Sequence, residues 1–318
     1  MPIYLTEADV NRLVTMSDAM SAVEECFRHQ GEGSATTEPR RRVRVPAGML
    51  HVMFAADRAA GVMGLKSYTT FADGARFHVL LYSAEDGSLL AMIEADRLGQ
   101  LRTGAATGVA TKHLANVDAS VAAVFGTGYQ ARTQVEALAH ARNLNEVRVY
   151  GRNPERRQEM ANELCGRLGL WVLPVDSPEK ALEGADIVTT MTSSTKPVFD
   201  GALLRPGMHV NVTGSNSLLK REVDDAAFAR ADLIAVDSLA SVSLEGGDLL
   251  TPLQKGVVYP EALIELGQVV AGRHVGRTGA DQITLFKSHG IALEDIVLAA
   301  RVYEKAREQG LGEGFGGL

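Results

Sequence analysis

The stretch Val121-Ala-Ala-Val-Phe-Gly126-Thr-Gly128-Tyr-Gln-Ala131 constrains this chain more than any other part of it: an apolar strand runs straight into a G-x-G-x-x-A turn and then into a helical pattern. In such a turn the first glycine permits a tight bend and the second lets the backbone approach a pyrophosphate. The small Ala131 lets the new helix pack close to its strand, and the free N–H groups at the helix start face the phosphates. The motif therefore predicts a dinucleotide site, the alternative being a plain strand-to-helix turn.

From about residue 119 strand and helix alternate, as a doubly wound parallel sheet requires. A helix is predicted over roughly Gln130 to Arg142 and a strand over Glu146 to Tyr150. Asn153-Pro154-Glu155 then reads as an N-cap, a proline at the first helical position and an acidic first turn. Strands follow near Trp171–Val175, Asp186–Met191, Met208–Thr213 and Leu233–Asp237. The first 115 residues read differently. Ser17-Asp18 caps a helix with Met20, Val23 and Phe27 on one face; extended segments follow, and Asp86-Gly87 marks a hairpin turn between Phe77–Tyr82 and Leu89–Ile93. A last helix, about Leu293 to Gln309, is expected to pack back on the N-terminal part, and the glycine-rich tail Gly310–Leu318 to fray. The expected fold class is α/β: a Rossmann doubly wound parallel sheet over 116–292, plus an α+β domain built from both chain ends, 1–115 and 293–318.

At 318 residues the chain has room for about two domains. A net charge of −7 with no long basic run argues against nucleic acid as a partner. Cys26 and Cys165 are too few and too isolated for a disulfide framework or a metal cluster, so no metal site is expected. No basic segment followed by an apolar stretch opens the chain, and no apolar run is long enough to span a membrane. These features predict a cytoplasmic protein without a membrane partner.

The end of the second strand of the nucleotide domain selects the cofactor. An acidic residue there would bond the ribose hydroxyls of NAD and repel a 2′-phosphate, but this chain has Tyr150-Gly151-Arg152-Asn153. NADPH is therefore expected to be preferred, with NADH possible. Arg152 would pair with the phosphate and Asn153 donate to it, with Arg156 and Arg157 adding positive potential. The alternative is that Asn153 only caps its helix and the arginines are solvated.

Several motifs in order now resemble one family. Pro39-Arg-Arg-Arg42, Gly64-Leu-Lys66, Arg102-Thr-Gly-Ala-Ala-Thr, the turn Gly126–Ala131, Asn211-Val-Thr-Gly-Ser-Asn216 and Phe286-Lys-Ser-His-Gly-Ile-Ala-Leu-Glu-Asp295 follow the sequence seen in the ornithine cyclodeaminase/mu-crystallin family. The resemblance covers nearly the whole chain. It implies that the domain from both chain ends binds substrate and forms a homodimer. The implied chemistry is hydride exchange between a nicotinamide and the α-carbon of an amino acid or its imine.

Carried over by this resemblance, Arg41, Lys66 and Arg102 match the positions that hold a substrate carboxylate, an anion that an arginine fork binds bidentately. Arg40 and Arg42 flank the first of these, and strand alternation puts neighbours on opposite faces. Lys66 is compatible both with ion pairing and with proton exchange at the substrate nitrogen. Thr103, Gly126, Gly128, Tyr129, Gln130, Thr192, Gly214, Lys220 and Ser288 match positions around the dinucleotide.

Two departures narrow the implied function. Where the cyclodeaminases carry an acid/base aspartate this chain has Asn216, and where they carry a glutamate it has His51. Without those carboxylates a distal ammonium would be desolvated and unpaired, at a cost of several kcal/mol. His78, at a position that faces the cofactor, and His289, at a substrate-facing one, join His51 as neutral-to-cationic donors, or each is an ordinary packed residue. The expected activity is NAD(P)H-dependent reduction of a small imino acid or ketimine, or amino acid dehydrogenation. Lys66, Arg102, Arg41, Asn216 and His78 are the candidate catalytic residues, and Arg41, Lys66, Arg102, His51 and His289 surround the substrate. Ornithine or lysine cyclodeamination and a mu-crystallin-like NADPH-binding role are the alternatives.

Overall fold

The computed structural model describes residues 1–314. The chain divides into two compact units, Met1–Arg102 with Gly290–Leu318, and Thr103–His289. The division falls inside one helix, Asp96–Leu114.

The first unit opens with β1 (Ile3–Leu5), α1 (Glu7–Leu13), α2 (Met16–Glu32) and β2 (Ala35–Thr37). A meander follows: β3 (Arg41–Val45), β4 (Gly48–Asp57), β5 (Val62–Phe71), β6 (Gly74–Ser83) and β7 (Leu89–Glu94), then the start of α3 (Asp96–Leu114). The start of α2 differs from the sequence expectation. Its N-cap is Thr15, whose hydroxyl accepts from the Asp18 N–H while the Asp18 carboxylate accepts from the Thr15 N–H. Asp18 is thus the far half of a capping box and not the cap itself. The predicted hairpin is present, with Gly87 at φ 75° in its turn and β6 antiparallel to β7.

Pairing in this sheet sets which side chains share a face. Lys66 on β5 stands opposite Met53 on β4 and Val79 on β6, and all three are buried. The alternate positions Leu50, Phe54, Met63 and Phe71 are exposed, as are Val43 and Val45. The sheet therefore has one inner face and one apolar outer face.

The second unit holds β8 (Val121–Phe125), α4 (Tyr129–Ala141), β9 (Glu146–Tyr150), α5 (Pro154–Leu168), β10 (Val172–Pro174), α6 (Pro178–Leu182), β11 (Ile187–Thr190) and β12 (His209–Val212). It continues through α7 (Asp225–Arg230), β13 (Leu233–Val236), α8 (Leu239–Glu245), α9 (Gly247–Gln254), β14 (Leu263–Glu265), α10 (Leu266–Val270) and β15 (Thr284–Lys287). The order β10-β9-β8-β11-β12-β15-β13-β14 is parallel throughout. Chain order reverses between β8 and β11, the switch point at which such sheets bind ligands. Separate apolar cores form around Val135, Leu138 and Met160 and around Val210, Phe228 and Leu285, giving the doubly wound architecture that the alternation of strand and helix predicts.

The chain returns to the first unit with α11 (Ala292–Gln309) and β16 (Glu313–Gly314). Ile296 of α11 reaches the inner sheet face at Gly64, where an added Cβ would come within 3.2 Å of its side chain. The expected fraying of the tail does not begin at Gly310. That residue caps α11 in the left-handed conformation, and β16 pairs with β1; residues 315–318 lie outside the described residues.

Candidate active site

In the first unit the inner sheet face and the start of α11 gather a cluster of buried charges. Lys66 is 2% exposed, and its Nζ donates to Asp295 Oδ1 at 2.8 Å. Arg102 Nε donates to the same oxygen at 3.1 Å, and its Nη1 donates to Glu294 Oε2 at 2.8 Å. Glu294 and Asp295 lie in the first turn of α11, where the helix dipole favours negative charge. Burial draws the Lys66 ammonium below the usual lysine range, with Arg102 and Arg40 acting in the same sense and Asp295 pulling it back.

The arginine of this cluster on the Pro39–Arg42 segment is not Arg41. Arg41 is exposed opposite Val52, on the face away from Lys66. Arg40 is 5% exposed, donates Nη2 to Gly290 O at 3.1 Å, and lies 6.0 Å from the centroid of the Tyr68 ring. A one-residue step along an extended segment reverses the face, which accounts for the difference.

His51 stacks on Tyr68 with centroids 4.1 Å apart, and Tyr68 stacks in turn on Phe77. Burial first, then Arg42 and Arg40, lowers the His51 pKa to about 4, so its ring is neutral at neutral pH. His78 pairs across from Ser67 and Glu94, on the sheet face opposite Lys66.

The second unit carries a crevice of about 580 Å³ at the carboxyl ends of β8, β9 and β11, lined by Gly126, Gly128, Tyr129, Gln130, Arg152, Arg156, Thr192, Gly214 and Lys220 among others. Gly126 has φ 126°, and a Cβ there would come within 2.2 Å of the Met191 carbonyl oxygen. At Gly128, the residue before α4, an added Cβ would meet nothing within 4 Å. A bent first glycine and an open second one at a helix start form the cradle a pyrophosphate needs. Arg132 holds the turn from outside, donating Nη1 to the carbonyls of Thr127 and Gly128.

At the ribose end Arg152 and Arg156 line the crevice. Asn153 uses its side chain to cap α5, accepting from the Arg156 N–H at 2.7 Å. Arg157 is committed to the Gly151 carbonyl and the Tyr150 ring. Thr103, on α3, and Asn216, in the loop after β12, are half-buried. Ser288 and His289 both turn to Asp237: Ser288 Oγ donates to Oδ2 at 3.0 Å, and His289 Nδ1 lies 2.9 Å from Oδ1.

Four acids have parts in these sites that the sequence reading does not assign. Glu294 and Asp295 hold the cations, and Asp237 holds Ser288 and His289. Glu222 accepts from Thr192 N at 2.6 Å, Thr192 Oγ1 at 2.8 Å and Gly214 N at 2.7 Å, tying together two strand ends of the crevice. The available signal for Glu294 and Asp295 was a pair of acids in the first turn of a helix whose first half is otherwise apolar. Among the described residues no group of three or more acidic, histidine or cysteine side chains is arranged to hold a metal, and no helix is long and apolar enough to cross a membrane.

Known proteins resemble this chain over most or nearly all of its length. The sequence is 37% identical over 235 residues to a Delta(1)-pyrroline-2-carboxylate reductase of Bacillus cereus, covering 74% of this chain and 72% of that protein. The structure of Thermococcus litoralis Delta(1)-pyrroline-2-carboxylate reductase in complex with NADH and L-proline superimposes with a TM-score of 0.93 at 32% identity, covering 98% of this chain and 100% of that one. An archaeal alanine dehydrogenase dimer with bound NAD gives a TM-score of 0.91 at 32% identity, covering 98% of each. The sequence profile of the ornithine cyclodeaminase/mu-crystallin family matches residues 2–310, and the chain belongs to that family.

Proposed function

We propose that this protein is an NAD(P)H-dependent reductase of small imino acids or ketimines, with a cyclic imino monocarboxylate such as Delta(1)-pyrroline-2-carboxylate the first substrate to try. The observation that carries this reading is the buried Arg40, Lys66 and Arg102 set, which suits an organic anion, in a chain that also carries a dinucleotide cradle. The relatives reported above are reductases of such compounds or a dehydrogenase.

The turn from Gly126 and the first N–H groups of α4 would hold the pyrophosphate of a nicotinamide dinucleotide, which when bound supplies a hydride to the imine carbon. Arg102, Lys66 and Arg40 would fix the substrate carboxylate, so that orientation and charge placement provide most of the rate. Neutral His51 and the rings of Tyr68 and Phe77 offer a wall without charge, which suits a ring or short side chain better than a distal ammonium. Arg152 and Arg156, with no acid at the end of β9, favour NADPH over NADH.

The test is oxidation of NADPH and of NADH with pyrroline-2-carboxylate, piperideine-2-carboxylate, or pyruvate plus methylamine, beside NAD-dependent ammonia release from ornithine. Reduction of a cyclic imino acid with NADPH preferred is expected, and Arg152→Ala should cut that preference about tenfold or more. Ammonia release from ornithine without imine reduction would overturn the reading, and equal use of both cofactors would overturn the NADPH preference. We also propose a homodimer through the exposed apolar face of the first sheet, as the archaeal alanine dehydrogenase is described as a dimer.

A further inference from the structure

Asp295 has no surface exposed to solvent, yet one of its oxygens serves two cations, Lys66 Nζ at 2.8 Å and Arg102 Nε at 3.1 Å. Lys66 is closely packed. The Phe77 ring centroid is 5.2 Å from Nζ, and α3 passes so close at Gly99 that an added Cβ would stand 2.8 Å from it. The charged groups facing it are Asp295 from α11, Arg102 and Asp96 from α3, and Arg40 from the segment before β3. Burial and the two arginines favour loss of its proton, and Asp295 opposes them by charge and hydrogen bond.

We propose that Asp295 is a positioning residue that keeps Lys66 an ammonium and aims it, so that Lys66 anchors the substrate carboxylate and does not donate the proton to the imine nitrogen. This rests on the reductase reading above. A proton donor must pass through its deprotonated form in each turnover. Here that form would leave the buried Asp295 carboxylate with only one of its two cations, a state that burial strongly disfavours. An anchor has no such requirement, and the Asp295 bond restricts where the flexible lysine stem can place its charge.

Two variants and one spectroscopic measurement test this. In Asp295→Asn the alkaline limb of kcat/KM should move down by about one pH unit or more, with the loss in KM rather than kcat, and Asp295→Glu should restore it. An unmoved limb in folded Asp295→Asn would overturn the proposal, as would a loss confined to kcat. If the unaltered protein reduces no imino acid, the reductase reading fails, and NMR titration of the lysine ε-carbons still decides the Asp295 question. The Lys66 signal, assigned by its absence in Lys66→Arg, should titrate at lower pH in Asp295→Asn; identical titrations would refute the assignment.

Discussion

Along the Pro39–Arg42 segment, neighbouring arginines meet opposite environments. Arg40 is enclosed beside Tyr68, and Arg41 stands in solvent. Arg40→Ala should lower kcat/KM for an imino acid by about a hundredfold or more, and Arg41→Ala should change it less than about threefold, as steady-state kinetics on the pair would show. The reverse ranking would refute the choice. Lys66 and Arg102 were legible in the sequence because their surrounding motifs resemble a family, whereas the register of three consecutive arginines depends on strand pairing that no local pattern records. The roles of Glu222 and Asp295 were not legible for a related reason: an acid reads as a solvated charge until the fold supplies its donors. A second effect at this scale concerns His209, buried between Thr284 and Asn211 and held neutral with a pKa of about 3, burial being the main cause. Its folded value is below the ordinary value of 6.5, so between those pH values the unfolded chain takes up a proton that the folded protein refuses. Stability should therefore decline as the pH drops below 6.5, by about 2 kcal/mol at pH 5 from this group alone. His209→Gln should flatten the dependence of melting temperature on pH over that window, and an unchanged slope would count against the assignment.

At the level of single elements, the parallel strands and the helices after the glycine turn were readable because each has a clear period and a chemical start signal, such as Asn153-Pro154 before α5. The helix α3 was not. It is enclosed almost all round, so its sequence shows no polar stripe, and it carries glycines at 99, 104 and 108 that lower helix propensity. Gly99 has a packing reason to be there, the Lys66 ammonium. Gly99→Ala should leave the fold in place, since helix propensity gains about 1 kcal/mol and the neighbour is the end of a flexible chain. It should nevertheless raise KM for the substrate acid several-fold by displacing Lys66, and unaltered kinetics would show that this contact does not matter. Gly126 offers no such freedom, because its Cβ would meet a backbone carbonyl and its φ is positive. Gly126→Ala should abolish detectable cofactor binding by fluorescence titration and lower the melting temperature.

For the whole molecule, the doubly wound unit followed from alternation of strand and helix, and the return of the last helix to the first unit from its position after the final nucleotide-domain element. The inner and outer faces of the first sheet were not legible, because the exposed Val43, Leu50, Phe54 and Met63 look in sequence like ordinary core residues. If this face joins two copies, Phe54→Asp combined with Val43→Asp should convert a particle of twice 34.0 kDa into one of 34.0 kDa by light scattering, with nucleotide binding retained. A monomeric unaltered protein would dismiss the interface. The helix that covers the inner face of the first sheet also brings the acid that holds Lys66, from 229 residues away in sequence. The β4–β6 ribbon therefore cannot bury its apolar side or settle its ammonium by local pairing alone, and closing that long loop is a step the first unit must take before its core is complete.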